Sequence, residues 1–337
     1  EIRRALAAGI PAERIVFSGV GKTRAEMAFA LETGIHQFNV ESAAELEALS
    51  GVATALDRQA PVALRVNPDV AAGGHPNIST GKAGDKFGVP WADAPGLFAR
   101  ARDLPGIEPV GVDVHIGSQI GDLAPMRAAF RKTVDLTRSL RAQGLDITRI
   151  DLGGGLAIPY KDGDQPAPPA DYAAMIRETV GDLPVEVILE PGRVIAGNAG
   201  VLVSEALYLK DAPDRTFLIV DAGMNDLMRP ALYGAHHDIW PVRQPEAGAP
   251  LRPLDVVGPI CESTDKFAAE RLLPPIAPGD RIAFLSAGAY GAVLSSQYNA
   301  RPLVAEVLVK GDRFDIVRRR PTFDETLSLE QRPDWLS

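Results

Sequence analysis

Three separated clusters in the first two hundred residues carry side chains suited to one kind of chemistry. Glu190-Pro191-Gly192-Arg193 closes a mostly apolar run, Val185–Leu189, and leaves a carboxylate and a guanidinium at its end. Gly153-Gly154-Gly155 follows Ile150–Leu152, and His115-Ile116-Gly117-Ser118 follows Val110–Val114. Three consecutive glycines let backbone N–H groups approach an anion such as a phosphate, and a following helix N-terminus adds its dipole. An imidazole offers a flat face for stacking, and a buried carboxylate can hold a ring nitrogen protonated. A phosphate cradle, a stacking ring and an acid suit a phosphorylated heteroaromatic cofactor acting as an electron sink. Taken singly, each cluster has a plainer reading: a packing turn for the glycines, a hydrogen-bonded scaffold for His115, a surface pair for Glu190 and Arg193.

All three lie at the ends of apolar stretches, which directs attention to the elements that hold them. Strands are expected at Arg14–Ser18, Gln37–Glu41, Val62–Val66, Val110–Val114, Ile150–Leu152 and Val185–Glu190. Helices alternate with them. Thr23 with Glu26 and Ser42 with Glu45 read as capping boxes. Ala92–Asp103 and Asp171–Val180 read as helices, and Pro125–Gln143 carries Met126, Phe130, Val134, Leu136 and Leu140 on one face. Alternation of this kind predicts a parallel sheet covered by helices. The fold class expected is an α/β barrel of the TIM type, with six of its eight strands visible and two preceding Glu1. In such a barrel the C-terminal strand ends share one mouth, so the three clusters would converge. Gly19-Val20-Gly21-Lys22-Thr23 resembles a phosphate loop, but that motif needs glycine where Val16 stands. Asp69–Gly88 is too long for an ordinary connection and reads as a functional loop. Lacking two strands, the sheet would present edges at Arg14–Ser18 and Val185–Glu190.

Beyond residue 200 the pattern becomes all-β, a sandwich or barrel, with strands at Val201–Leu209, Thr216–Val220, Pro253–Val257, Arg281–Phe284 and Ala305–Val309. The expected domains are therefore residues 1–200 and 201–337. Chemistry-bearing residues recur here: Arg229 and Tyr233 at helical spacing, Cys261-Glu262-Ser263, and Gly288-Ala289-Tyr290-Gly291. A lone cysteine is ordinarily a small buried apolar residue, and a tyrosine between glycines a turn aromatic.

With 337 residues, 46% of them hydrophobic, the chain can bury two cores. The net charge of −9 and the lack of any basic run argue against a nucleic-acid partner. No apolar stretch is long enough for a membrane span. One cysteine excludes an intrachain disulfide and fits a reducing, cytoplasmic setting. The chain opens in what reads as a helix, without Met, so upstream residues are expected.

In order along the chain, His115-Ile-Gly-Ser118, Gly153–Gly155, Glu190-Pro-Gly-Arg193, Asp221–Asp226, Arg229-Pro-Ala-Leu-Tyr233, Cys261-Glu262-Ser263 and Gly288–Gly291 closely resemble the diaminopimelate decarboxylases. These are fold-type III pyridoxal 5'-phosphate enzymes, lyases of lysine biosynthesis. The resemblance covers essentially the whole sequence and implies decarboxylation of meso-2,6-diaminopimelate, at its D centre, to L-lysine and CO2. It implies that His115 stacks on the cofactor ring and Ser118 lies near its phosphate. Gly153, Gly154, Gly155, Pro191, Gly192 and Arg193 would bind the cofactor as well, with Glu190 on the ring nitrogen. Arg193, Arg229 and Tyr233 would hold the substrate, Glu262 its distal amino group, and Tyr290 both ligands. Cys261 would deliver the proton that replaces CO2. In the family Cys261 and Glu262 reach into the partner's barrel, which implies a homodimer with shared sites. No metal is implied.

The family's Schiff-base lysine sits at the end of the first barrel strand, and this sequence begins after the second. None of Lys22, Lys82, Lys86, Lys132, Lys161, Lys210, Lys266 or Lys310 stands in that place, so an N-terminally incomplete chain is expected and its own activity is left open. Ser286 stands where many relatives carry Asp. Alternatives are a related decarboxylase acting on ornithine, arginine, lysine or carboxynorspermidine, a non-catalytic fragment that holds pyridoxal phosphate without a covalent bond, or an amino-acid racemase of the same fold.

Overall fold

The computed structural model describes residues 1–71 and 86–336. The chain divides into two units, residues 1–157 with 165–192 and residues 158–164 with 193–337. Most of the expected functional loop, residues 72–85, lies outside the described residues. Among the described residues no helix is long and apolar enough to cross a membrane.

The first unit is a parallel sheet of β1 (Val16–Phe17), β2 (Gln37–Val40), β3 (Ala60–Asn67), β4 (Val89–Pro90), β5 (Ile107–Asp113), β6 (Arg149–Asp151) and β7 (Glu186–Ile188). Its path is β1-β2-β3-β5-β6-β7, with the short β4 paired to the end of β3. The helices are α1 (Ile2–Ala7), α2 (Arg24–Thr33), α3 (Ala43–Ala55), α4 (Ala94–Asp103), α5 (Leu123–Ala142) and α6 (Pro169–Val180). The sheet is an open TIM-like barrel, and the expected edges are the observed ones. The inner strands bury nearly every side chain because helices cover one face and the curl encloses the other. β7 is last on the path, so Val187 and Leu189 are exposed, as an edge strand allows. The curl brings the ends of β1 and β7 together: Ser18 Oγ–H donates to Glu190 Oε1 at 2.5 Å.

Local signals act where expected, with one difference. Thr23 and Glu26 form a reciprocal capping box. Ser42 accepts from Glu45 N–H, but the Glu45 carboxylate turns to Lys22 Nζ (2.7 Å) and Glu41 N–H (3.0 Å). A buried ammonium next to it outcompetes the neutral N–H of the cap. The apolar stripe of α5 packs inward through Met126, Phe130, Val134, Leu136 and Leu140.

Besides residues 158–164, the second unit holds α7 (Arg193–Ala196), β8 (Leu202–Asp211), β9 (Thr216–Val220), α8 (Arg229–Tyr233), β10 (Ile239–Pro241), β11 (Arg252–Val257), β12 (Lys266–Leu273) and β13 (Arg281–Phe284). A separate hairpin of β14 (Glu306–Lys310) and β15 (Arg313–Arg318) is followed by α9 (Phe323–Leu327). The main sheet runs β10-β13-β8-β9-β11-β12, antiparallel except for β9 with β11. Leu218, Val220, Leu254, Val256, Ile282 and Phe284 form its core. Arg271 on β12 donates to the His237 carbonyl (3.1 Å) just before β10, tying the two outer strands together. The sequence signal missed β10, β12 and β15. The charges of β12 (Lys266, Glu270, Arg271) and the brevity of β10 masked their alternation.

Candidate active site

In the first unit the mouth is built by strand register. Arg65 on β3 lies opposite Asp113 on β5, and Asp113 opposite Asp151 on β6. These ionisable side chains thus stand in one row inside the curl. Asn39 on β2 donates to Asp151 Oδ2 (3.0 Å) and to Ser18 Oγ (3.0 Å). Glu41 accepts from Arg65 Nη1 (3.0 Å). Burial pushes the Asp113 carboxyl well above the usual range, helped by the charges of Asp151 and Glu190. Burial, then Glu190, raises Asp151 to about 6.

Gly153–Gly155 is the pivot of this mouth. Gly153 N–H donates to Asp151 Oδ1 (3.0 Å), and Glu190 N–H donates to Gly153 O (2.8 Å). Gly154 N–H donates to His115 Nδ1 (3.1 Å). His115 is therefore protonated on Nε2, and burial, with a smaller push from Arg65, lowers its pKa to about 4. It is a neutral, flat ring. Ser118 sits in the turn that joins this cluster, where Ile120 N–H donates to Gly155 O (2.9 Å). His115, Gly153, Gly154, Gly155 and Glu190 thus meet at one place.

The expected phosphate cradle is narrower than the sequence suggested. The Gly153 and Gly154 N–H groups are spent on Asp151 and His115, whereas no described residue accepts from Gly155 N–H. No helix follows directly either, since α6 begins only at Pro169. The residues present do fit the ring end of pyridoxal phosphate. Asp113, Asp151, Glu190 and Glu41 outnumber Arg65, and buried Asp113 Oδ1 has no hydrogen-bond partner among the described residues. A protonated ring nitrogen is a cation suited to that surplus. Pro191 and Gly192 form an exposed turn after Glu190. Lys22 is engaged elsewhere: its Nζ donates to Gly19 O, Asn39 O and Glu45, and its side chain is 1% exposed. Lys132 Nζ donates to Pro68 O (2.7 Å), and Lys82 lies outside the described residues.

In the second unit a separate cluster forms around Tyr160, a residue with no sequence signal. Arg193 Nη1 donates to Tyr160 Oη at 2.5 Å. The Arg229 guanidinium lies over the Tyr160 ring, 4.5 Å from its centroid, and Arg193 lies 4.8 Å from the Tyr290 ring centre. Tyr233 on α8 acts electrostatically on Arg229, as do Tyr160 and Tyr290. Tyr290 adopts a left-handed backbone (φ 57°), a strain of the kind that collects at functional sites. Arg193, Arg229, Tyr233 and Tyr290 therefore belong together.

Cys261 and Glu262 do not join them in this chain. Both are exposed. Asn299 Nδ2–H approaches Cys261 Sγ (3.4 Å), and Glu262 accepts from Tyr298 Oη–H (2.9 Å) and from Thr264. The Thr264 and Tyr298 hydroxyls hold the Glu262 carboxyl below its usual range. Sequence reasoning missed Ser18, Asn39, Asp113, Asp151, Tyr160 and His237. For Asp113 and Asp151 a signal existed, an acid at the C-terminal end of a strand.

Residues 1–197 match the family model described as pyridoxal-dependent decarboxylase, pyridoxal binding domain. The diaminopimelate decarboxylase of Zymomonas mobilis is 47% identical over 100% of this chain and 79% of its own length. That of Pseudomonas aeruginosa is 50% identical over 98% of this chain and 79% of its own. The crystal structure of Helicobacter pylori diaminopimelate decarboxylase complexed with L-lysine superposes with a TM-score of 0.93 at 41% identity, covering 97% of this chain and 81% of that one.

Proposed function

The chain belongs to the diaminopimelate decarboxylase family of pyridoxal-dependent decarboxylases, and on that premise we propose the roles its own residues take in converting meso-2,6-diaminopimelate to L-lysine and CO2. Pyridoxal phosphate, when bound, supplies the electron sink for cleavage of the carboxyl bond. Residues 1–200 bind it, and residues 201–337 together with Arg193 supply substrate contacts. Glu190 accepts the ring N–H, and Ser18 and Asn39 hold its Oε1 for that task. His115, neutral and tethered by Gly154, offers its face to the ring. Gly155 N–H and Ser118 serve the phosphate, together with the Pro191-Gly192 turn.

Arg193 and Arg229 receive the carboxylate that the reaction leaves in place, with Tyr233 and Tyr290 beside them. Glu262 takes the distal amino group, and the Cys261 thiol gives up the proton that replaces CO2. Both are exposed in their own chain, which supports a homodimer in which they serve the partner's barrel. The cytoplasm, where such a thiol stays reduced, is the proposed setting.

The observation that carries the substrate assignment is the buried guanidinium of Arg229. Among the described residues it faces Arg193 and three tyrosines but no carboxylate. A buried cation without an anion is expensive unless a ligand supplies one. Ornithine, arginine and lysine retain no carboxylate after decarboxylation, so they give Arg229 no partner in the product. A substrate panel tests this. In a form of the protein that carries the family's Schiff-base lysine, CO2 release is expected from meso-2,6-diaminopimelate and not from the other three. Arg229→Ala is expected to raise KM for diaminopimelate by about tenfold or more, the loss of one charged carboxylate contact. Turnover of ornithine in preference to diaminopimelate, or an unchanged KM and kcat/KM, overturns the assignment.

A further inference from the structure

Arg229 is 7% exposed, and one side chain hydrogen-bonds to it: its Nη1 lies 2.8 Å from His237 Nε2. The other imidazole nitrogen, Nδ1, lies 2.7 Å from the Leu285 carbonyl oxygen. A carbonyl can only accept, so Nδ1 carries the proton and Nε2 presents a lone pair. The bond therefore runs from Arg229 N–H to His237. The imidazole is 1% exposed and packs edge-on against Tyr160, with ring centres 5.6 Å apart at 83°. Tyr160 in turn carries the Arg229 guanidinium on its face. Arg229 is thus fixed in plane by Tyr160 and in rotation by His237.

The choice of acceptor matters. A carboxylate at position 237 would hold Arg229 just as firmly but would neutralise it. A neutral imidazole fixes the guanidinium and leaves its charge for a ligand. We propose that His237 is the positioning residue of Arg229: it orients the guanidinium toward an incoming carboxylate without quenching it, and so sets affinity for the distal carboxylate of the substrate. This rests on the reading of Arg229 as a substrate ligand. Burial, and then the Arg229 charge itself, keeps His237 unprotonated by lowering its pKa to about 4, so the acceptor lone pair persists at neutral pH.

Three substitutions separate positioning from mere packing. His237→Leu removes the acceptor. His237→Gln places an amide oxygen near the Nε2 position and keeps it. His237→Asn reaches only the Nδ1 position, so it retains the Leu285 bond and loses the one to Arg229. In the holoenzyme, His237→Leu is expected to raise KM for meso-2,6-diaminopimelate about tenfold or more, with kcat within a factor of about two, the split expected when ground-state and transition-state binding are lost equally. The dissociation constant of L-lysine, which keeps the same carboxylate, should rise in parallel by equilibrium titration. Pyridoxal phosphate affinity should not change. Gln should restore most of the loss and Asn should not. If Leu fails to fold, the Gln and Asn comparison decides alone. Equal constants for Gln and Asn, or a lowered Tm with unchanged KM, overturn the proposal. Wild-type protein that does not bind L-lysine at all would instead overturn the substrate assignment itself.

Discussion

Gly153 is the residue on which the first cluster turns, and replacing it by alanine perturbs that cluster in a calculable way. Its backbone is left-handed (φ 63°), a region that costs an L-residue roughly 1–2 kcal/mol. An added Cβ would also stand 2.6 Å from the Val114 carbonyl oxygen, 2.8 Å from His115 Nδ1 and 3.0 Å from His115 Cβ. Two of these belong to a buried strand end and a tethered ring, which cannot swing aside, so crowding adds about 1–3 kcal/mol. The total expected for Gly153→Ala is about 2–5 kcal/mol. Two neighbours in sequence space separate the terms. Gly163 is also left-handed (φ 88°) but has open space around it, so Gly163→Ala should show the backbone term alone. Gly154 has no such φ, but its Cβ would lie 3.1 Å from the Glu190 carbonyl carbon and closer still to the oxygen, so Gly154→Ala should show crowding alone. Urea midpoints at unchanged slope read all three. Pyridoxal phosphate affinity, followed by absorbance, should fall at least about tenfold for Gly153→Ala and Gly154→Ala, since His115 and Glu190 are displaced, and stay level for Gly163→Ala. If Gly153→Ala is no more destabilising than Gly163→Ala, the crowding argument is wrong and the glycines are not where the mouth is pinned.

Glu190→Gln keeps a group that can accept from Ser18 Oγ–H but removes the negative charge opposite a ring N–H. Turnover by the holoenzyme should fall by at least about tenfold with the fold intact, and an undiminished kcat would refute the role. Asp151 supplies a pH test. Its pKa is raised to about 6 by burial and by Glu190. Between about pH 4 and 6 the folded state therefore holds a proton that the unfolded chain has released, so this group's contribution to stability declines as pH rises through that window. Asp151→Asn removes the titration, so the variant's stability relative to wild type should improve from pH 4 to pH 6 by urea unfolding. A constant difference across that range would show that Asp151 ionises as an ordinary surface acid.

The legible part of the molecule was whatever local rules write directly into sequence. Thr23 with Glu26 marked a helix start, the five apolar residues of α5 marked its buried face, and apolar runs ending in glycine or proline marked the strands that carry His115, Gly153 and Glu190. Their convergence followed from parallel topology alone. What stayed hidden depends on register and on side-chain competition. Asp113 and Asp151 face Arg65 only because three strands pair in one row. Ser18 reaches Glu190 only because the sheet curls. The glycine N–H groups were expected to serve an anion, yet His115 and Asp151 lie nearer and take two of them. Tyr160 and His237 gave no signal, because their importance lies in what they hold, and no spacing encodes that.

The two clusters share a thermodynamic character that bears on why such residues are kept. The first places four carboxylates around one arginine, and two of those acids, Asp113 and Asp151, have pKa values raised chiefly by burial. The second buries Arg229 against another guanidinium and a neutral imidazole, and burial lowers its basicity. Each is electrostatically uncompensated by the described residues of its own unit, and each would be more stable with apolar side chains or matched partners. Packing alone does not select this arrangement. It is what a protein retains when a ligand brings the missing charge, a protonated ring nitrogen to the acids and a carboxylate to the guanidiniums. The same reasoning assigns His237 its value. Asp or Glu at that position would stabilise the unit by pairing Arg229, and would do so by consuming the charge on which recognition of a carboxylate depends.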